Sequence, residues 1–246
     1  MENIKPELSR TAMLVGGDGV RALVGARVAL FGVGGVGGHL AEALARAGVG
    51  TIALIDGDNV SLSNINRQVI ALHSTVGRPK VEVMAERIAD INPDCRVIPY
   101  NIFYSAENAD IINFADFDYV ADAIDTVTSK LIIATRARDA GVPMIAAMGT
   151  GNKLDPSRLE LIDISKTDTC PLARVMRREL KARGIEHMNV VFSREPAATP
   201  IAEFYDGDPT SGRIPPASLA CVPGAAGLLM ASKIISDLIK KEADKK

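Results

Sequence analysis

An apolar run, VALFG at 28–32, passes straight into Gly32-Val-Gly34-Gly35-Val-Gly37 and leaves it as HLAEALARAG. Few folds tolerate that order. The glycines allow a tight turn and let backbone N–H groups approach a ligand closely. The following helix offers a phosphate its unpaired N–H groups and the positive end of its dipole. At the end of the next apolar run stands Asp56, placed to accept a ribose hydroxyl. Gly32, Gly34, Gly35, Gly37 and Asp56 are therefore expected to contact a nucleotide.

The rest of the first 150 residues repeats the same rhythm. Apolar runs at 28–32, 51–56, 95–100, 119–124 and 144–148 alternate with helix-like stretches at 36–47, 79–91, 105–114 and 127–140. Continuous apolar strands between amphipathic helices predict a parallel sheet covered on both faces. Ahead of it, residues 1–25 read as helix, with Leu8, Ala12, Val15, Val20, Leu23 and Val24 as its apolar positions. After residue 150 the pattern changes. RLELIDI (158–164) alternates like an antiparallel strand, a helix comes next at 171–183, and MNVVFS (188–193) is a further strand. Residues 194–217 carry no apolar periodicity and are expected to form a mobile, functional loop. A last helix is expected from Ala225 to Lys241. The expectation is one α/β domain over 1–246: N-terminal helices, a doubly wound Rossmann-like nucleotide-binding core at 26–150, and an antiparallel extension, loop and helix at 151–246.

Composition narrows the function classes. With 47% hydrophobic and 24% charged residues the chain can bury a large core, which excludes intrinsic disorder. A net charge of −2 excludes a generally basic nucleic-acid binder while leaving room for a local basic patch. Cys95, Cys170 and Cys221 share no close spacing, so neither a disulfide framework nor a zinc site is expected. The charged start MENIKPELSR and the short apolar part of the C-terminal segment, Leu219 to Ala231, predict a cytoplasmic protein with no integral membrane segment.

The residues after Asp56 discriminate between nucleotides. Asp56-Gly-Asp58 precedes Ser63-Asn64-Ile65-Asn66-Arg67-Gln68, and Lys80 stands just after Pro79. A dinucleotide needs one pyrophosphate cradle and leaves this added Arg and Lys unexplained. A triphosphate explains them, because its outer phosphates project further and need more positive charge. The strand at 119–124 then runs into Asp122-Ala-Ile-Asp125-Thr126, facing the same crevice. A carboxylate beside a triphosphate is best placed as a Mg²⁺ ligand. Asp125 is the expected ligand, with Thr126 beside it, and Asp122 is expected to be a structural partner within its strand.

Together, Gly-x-Gly-Gly-x-Gly, Asp-x-Asp, Ser-Asn-x-x-Arg-Gln, Lys80 and Asp-x-x-Asp resemble the ubiquitin-activating-enzyme-like adenylyltransferases of the ThiF/MoeB/HesA superfamily. That resemblance implies ATP and Mg²⁺, attack of a substrate carboxylate on the α-phosphate, and an acyl-adenylate. It carries over Gly35, Asp56, Asn64, Arg67, Lys80 and Asp125 as nucleotide or metal contacts, with Asp58, Asn66 and Thr126 in the same segments. Arg10, in LSRTAML, is similar to an arginine that family members donate across a homodimer to the phosphates. Such a residue can contribute about 10³–10⁵ in rate.

Over most of its length the chain resembles one branch, the tRNA threonylcarbamoyladenosine dehydratases (TcdA/CsdL). The stretches LSRTAMLVG, NRQVIALHSTVGRPKVEVMAERIADINPDCRV, DISKTDTCPLARVMRREL and SGRIPPASLACVPGAAGLLMASKII carry it. Pro-Pro-Ala-Ser departs from the Pro-Gly-Ser of that branch. The resemblance implies a tRNA substrate whose threonylcarbamoyladenosine at position 37 is closed into a cyclic hydantoin. A polyanion needs a basic surface, and Arg174, Arg177, Arg178 and Lys181 recur at one-face helical spacing, with Arg183 adding a fifth charge. Ala173, Met176 and Leu180 fall on another face. None of His39, His73 and His187 is assigned a catalytic role.

Three other readings fit parts of the pattern. A ubiquitin-like sulfur carrier, activated at its C-terminal glycine, is the rival substrate, with a sulfur-transfer partner implied. It normally goes with a zinc-binding Cys-x-x-Cys pair that this chain lacks. An NAD-dependent oxidoreductase would use the glycine turn and Asp56 and leave Arg67, Lys80 and Asp125 idle. A non-catalytic adaptor would bind ATP without activating any carboxylate.

Overall fold

The computed structural model of the chain describes residues 4–204 and 216–243. Its centre is a seven-stranded sheet in the order β3-β2-β1-β4-β5-β7-β6. The strands are β1 (Arg27–Phe31), β2 (Thr51–Ile55), β3 (Arg96–Tyr100), β4 (Tyr119–Asp122), β5 (Met144–Ala147), β6 (Leu159–Asp163) and β7 (Asn189–Ser193). All neighbours are parallel except β6 and β7, which pair antiparallel from Leu159 opposite Ser193 to Asp163 opposite Asn189. The alternation of RLELIDI thus has its expected consequence. β1, β2 and β4 are apolar and buried along nearly their whole lengths, as strands covered on both faces must be.

Among the described residues six α-helices cover the sheet: α1 (Ser9–Gly25), α2 (Gly37–Ala47), α3 (Lys80–Ile91), α4 (Val127–Asp139), α5 (Pro171–Lys181) and α6 (Cys221–Ala243). α1 is broken at Gly16, whose φ of 73° only glycine adopts without strain. Its second half buries Val20 and Leu23, while Val24 stays half exposed. Two expectations fail at element level. Residues 105–114 do not form a helix. They fold as short 3₁₀ turns, Ala109–Ile111 and Phe114–Asp116, because Tyr104, Ala109, Ile112 and Phe114 must reach the sheet face, where Phe114 stacks 5.6 Å from Phe31. The last helix starts four residues earlier than expected, at Cys221, and carries Pro223 in its first turn, where proline costs no hydrogen bond.

α6 is the one helix among the described residues long and apolar enough to cross a membrane. Its Val222, Ala226, Met230, Ala231, Ile234 and Leu238 instead join the main core with α2 and β1. Approach of α6 to α2 depends on Gly227, where a Cβ would stand 2.3 Å from the Val36 carbonyl oxygen. Of residues 194–217, expected to be a mobile loop, 205–215 lie outside the described residues. Both described arms bond to Asn152: Ala198 donates to its carbonyl at 2.7 Å, and Ala217 donates to its Oδ1 at 2.7 Å.

Candidate active site

Strand order reverses between β1 and β4, so the segments leaving their carboxyl ends diverge and open a crevice. Gly32 starts the turn after β1. Its φ is 90°, its N–H donates to Ile55 at 2.7 Å, and a Cβ would lie 2.7 Å from the Ala123 carbonyl oxygen. Gly37 begins α2 so close to the turn that a Cβ would sit 1.8 Å from the Gly32 carbonyl oxygen. Glycine at both positions is therefore a steric requirement.

The crevice is a cavity of about 690 Å³. Gly32, Gly34 and Gly35 line one side, with Asp56 and Asp58 after β2, Asn64, Arg67 and Gln68 on the following loop, Lys80 opening α3, and Asp125 and Thr126 after β4. Most of the residues singled out in the sequence for the nucleotide thus meet in one place. Three do not. Gly37 contributes to packing beneath the turn and is absent from the lining. Asn66 is not part of the lining but bonds to two residues that are: it donates to the Ser218 carbonyl at 2.9 Å, joining this loop to the segment ahead of α6, and accepts from Arg67 at 2.9 Å. Arg10 is exposed on α1 and does not reach the cavity of its own chain.

The polar groups are held by specific partners. Asp56 accepts the Val33 N–H at 2.7 Å and the Asp58 N–H at 2.9 Å, which ties the glycine turn to the end of β2. Lys80 is almost wholly buried yet keeps its charge paired, 2.7 Å from Asp58. Arg67 donates to the Ser63 carbonyl and to Asn66, each at 2.9 Å, so its guanidinium is oriented by its own loop. Asn64 accepts the Ser61 N–H at 3.1 Å in a reciprocal cap. Gln68 is buried, and its Oε1 has no hydrogen-bond partner among the described residues. Asp125 is exposed, with the Thr126 hydroxyl 3.4 Å away. The site therefore sets two oriented cations and a helix N-terminus opposite an open carboxylate, a distribution suited to a polyphosphate with its metal.

Sequence reasoning missed two supports. Ser129 donates to the Tyr104 carbonyl at 2.6 Å and fixes the far wall. Lys130, wholly buried, pairs with Asp122 at 2.9 Å; Asp122 is thus the structural partner it was expected to be. The signal available was a lone lysine inside SKLIIA, a run otherwise bound for the core. His39 packs its ring against Gly224 outside the lining, and burial holds its imidazole below the usual 6.5.

The basic helix α5 behaves as expected on its inner face: Ala173, Met176 and Leu180 are buried. Arg174, Arg178, Lys181 and Arg183 are exposed. Arg177 sits differently from these four. It is half-buried and donates to both the carbonyl and the hydroxyl of Thr167 at 2.5 Å, pinning α5 to the turn after β6.

The sequence pattern of the ThiF family matches residues 8–246. The chain belongs to the ThiF family. The tRNA threonylcarbamoyladenosine dehydratase of Bacillus subtilis (strain 168) is 43% identical over 244 residues, 95% of each chain. The Escherichia coli (strain K12) protein of the same name is 39% identical over 198 residues, 77% of this chain and 74% of that one. The E. coli dehydratase TcdA in complex with ATP superposes with a TM-score of 0.87 at 33% identity, over 98% of this chain and 96% of that one. A ThiF-family α/β fold is thus shared along nearly the whole chain.

Proposed function

We propose that this ThiF-family protein is an ATP-dependent tRNA threonylcarbamoyladenosine dehydratase. It activates the threonyl carboxylate of threonylcarbamoyladenosine at tRNA position 37 and closes it to the cyclic hydantoin. The observation that carries this reading is the convergence of Arg67, Lys80 and Asp125 on the cavity headed by the glycine turn. Relatives bearing that activity in their names, one of them solved with ATP, support it.

In this reading the triphosphate lies along the turn of Gly32, Gly34 and Gly35, and its ribose hydroxyls face Asp56. Arg67 and Lys80 draw charge from the outer phosphates. Asp125, with Thr126 beside it, would hold Mg²⁺; one carboxylate plus phosphate oxygens is the donor set that this ion accepts. When bound, the ion neutralises charge that would otherwise repel the incoming carboxylate. A carboxylate oxygen attacks the α-phosphorus, and pyrophosphate leaves. The ureido nitrogen of the same side chain then attacks the acyl carbon; a C–N bond forms, the bond to AMP breaks, and the nitrogen loses a proton. Ring closure is intramolecular, where effective molarities reach about 10⁵–10⁸ M, so no protein nucleophile is needed. Orienting charge in a dry cleft is the work left to the protein.

Arg10 acts from the second subunit of a homodimer, and the exposed cations of α5 meet the tRNA backbone. The protein works in the cytoplasm, where that tRNA is. One experiment tests the core of this. Purified protein is incubated with Mg·ATP and tRNA carrying the modification, and the nucleosides are weighed by mass spectrometry. The modified nucleoside loses one water, and Asp125→Ala abolishes the loss. An unchanged mass with intact ATP binding would shift the substrate to the C-terminal glycine of a sulfur carrier, the second reading the sequence motifs support.

A further inference from the structure

One of the most heavily bonded side chains near the cavity is one that does not line it. Lys130, near the start of α4, donates to the Ile124 carbonyl at 3.0 Å and to the Ala147 carbonyl at 2.8 Å, and its ammonium lies 2.9 Å from Asp122 as an ion pair. Asp122, through its other oxygen, accepts the Ile124 N–H at 3.2 Å. Both backbone polar groups of Ile124, the residue before Asp125, are therefore held by one wholly buried ion pair. Ala123, just ahead, has its carbonyl packed against Gly32, and Ala147 ends β5, whose chain goes on to line the cavity with Thr150 and Gly151.

A pair buried this deeply is a poor source of stability, because stripping water from two charges offsets their attraction; apolar side chains of similar volume commonly do as well. The geometry it imposes is more specific. Asp125 is exposed, and among the described residues its carboxylate is near no partner but Thr126. Where that carboxylate points is set by its backbone, and its backbone is set by Ile124.

We infer that Lys130, together with Asp122, is a positioning residue that aims Asp125 at the magnesium–triphosphate complex. This rests on the ATP reading above. The pair acts through the peptide chain: Asp122 fixes the Ile124 N–H, Lys130 fixes its carbonyl, and the next residue is delivered at the mouth of the site. The ammonium also joins the ends of β4 and β5, so the two sides of the cleft that extend from these strands keep a common reference.

Lys130→Met alone leaves a buried carboxylate without its partner, so the informative variant is Lys130→Met with Asp122→Leu, which removes both charges. Calorimetric titration with ATP, in excess chelator and then at rising Mg²⁺, is run beside thermal unfolding of the same samples. The double variant should melt near wild type and bind metal-free ATP as wild type does. The gain in ATP affinity produced by Mg²⁺ should fall about 10–100-fold, as when a partner behind a metal ligand is removed. Wild-type magnesium dependence in a folded double variant overturns the inference. If that variant does not fold, Lys130→Met with Asp122→Asn decides: it removes both charges, keeps an acceptor for the Ile124 N–H and withdraws the hold on the Ile124 carbonyl, so the magnesium response should still fall, and an unaltered response overturns the proposal. If wild-type protein binds no ATP under any condition, the ATP reading and this inference fall together. A wild type that binds ATP while the tRNA stays unmodified leaves the metal titration as the judge of Lys130.

Discussion

Lys80 shows how much one residue's surroundings change its meaning. In the sequence it is a cation after a proline. In the fold it opens α3, is nearly shielded from water and is neutralised by Asp58 at 2.7 Å. A cation held this way exchanges its partner for a phosphate without first being ordered. Lys80→Met should leave the fold intact and lower the rate of AMP formation by about 10²–10³, the cost of removing one preorganised charge donor. Single-turnover kinetics with saturating ATP would show it, and a loss confined to KM would contradict it. His39 gives a pH-dependent expectation. Burial holds it below 6.5, with Arg87 acting in the same direction and Glu42 against it. The unfolded chain therefore binds the proton more readily than the folded one below that pH. Stability contributed by neutral His39 is complete above about pH 6.5 and is lost as pH falls through its folded value. Melting temperature should decline less over that window in His39→Gln than in wild type.

At the scale of elements, α5 was readable only in part. Its periodicity put Ala173, Met176 and Leu180 inward, and they are buried. The same periodicity put Arg177 among the outward cations, yet Arg177 bridges to Thr167 and belongs to the support of the helix. Spacing reports which face a residue is on; it does not report whether a neighbouring turn reaches that face. Charge reversal at Arg174, Arg178 and Lys181 should weaken tRNA binding and flatten the dependence of log K on log salt, by roughly 0.9 for each phosphate no longer neutralised. A filter-binding series at several salt concentrations measures that slope, and an unchanged slope removes α5 from the interface. The 105–114 segment failed as a helix for a related reason. Its aromatic and aliphatic residues suit either structure locally, and packing against Phe31 on the sheet selects the tight turns.

At the scale of the molecule, the cleft lacks one expected cation. Arg10 lies on α1, outside the cavity lining of its own chain. If it enters the partner's site, two inactive variants should complement each other. Mixing Arg10→Ala with Asp125→Ala, after exchange of subunits, should restore activity, because one site in each mixed dimer then holds both residues. Absence of complementation in demonstrably mixed dimers would place Arg10 outside the reaction.

The sequence by itself determined the alternation of strand and helix, the glycine turn and most of the cavity lining. These arise from local rules: side-chain period, the freedom of glycine, and the carboxyl ends of parallel strands sharing one edge. The tertiary structure alone decided that Gly37 packs beneath the Gly32 carbonyl, that Asn66 bonds to Ser218, and that Lys130 and Asp122 close a buried pair behind Asp125. Each of those depends on which distant backbone comes within a few ångströms, a consequence of how α2, α4 and the segment before α6 are laid against the sheet. A linear pattern carries the chemistry of each side chain but not the distance to its partner.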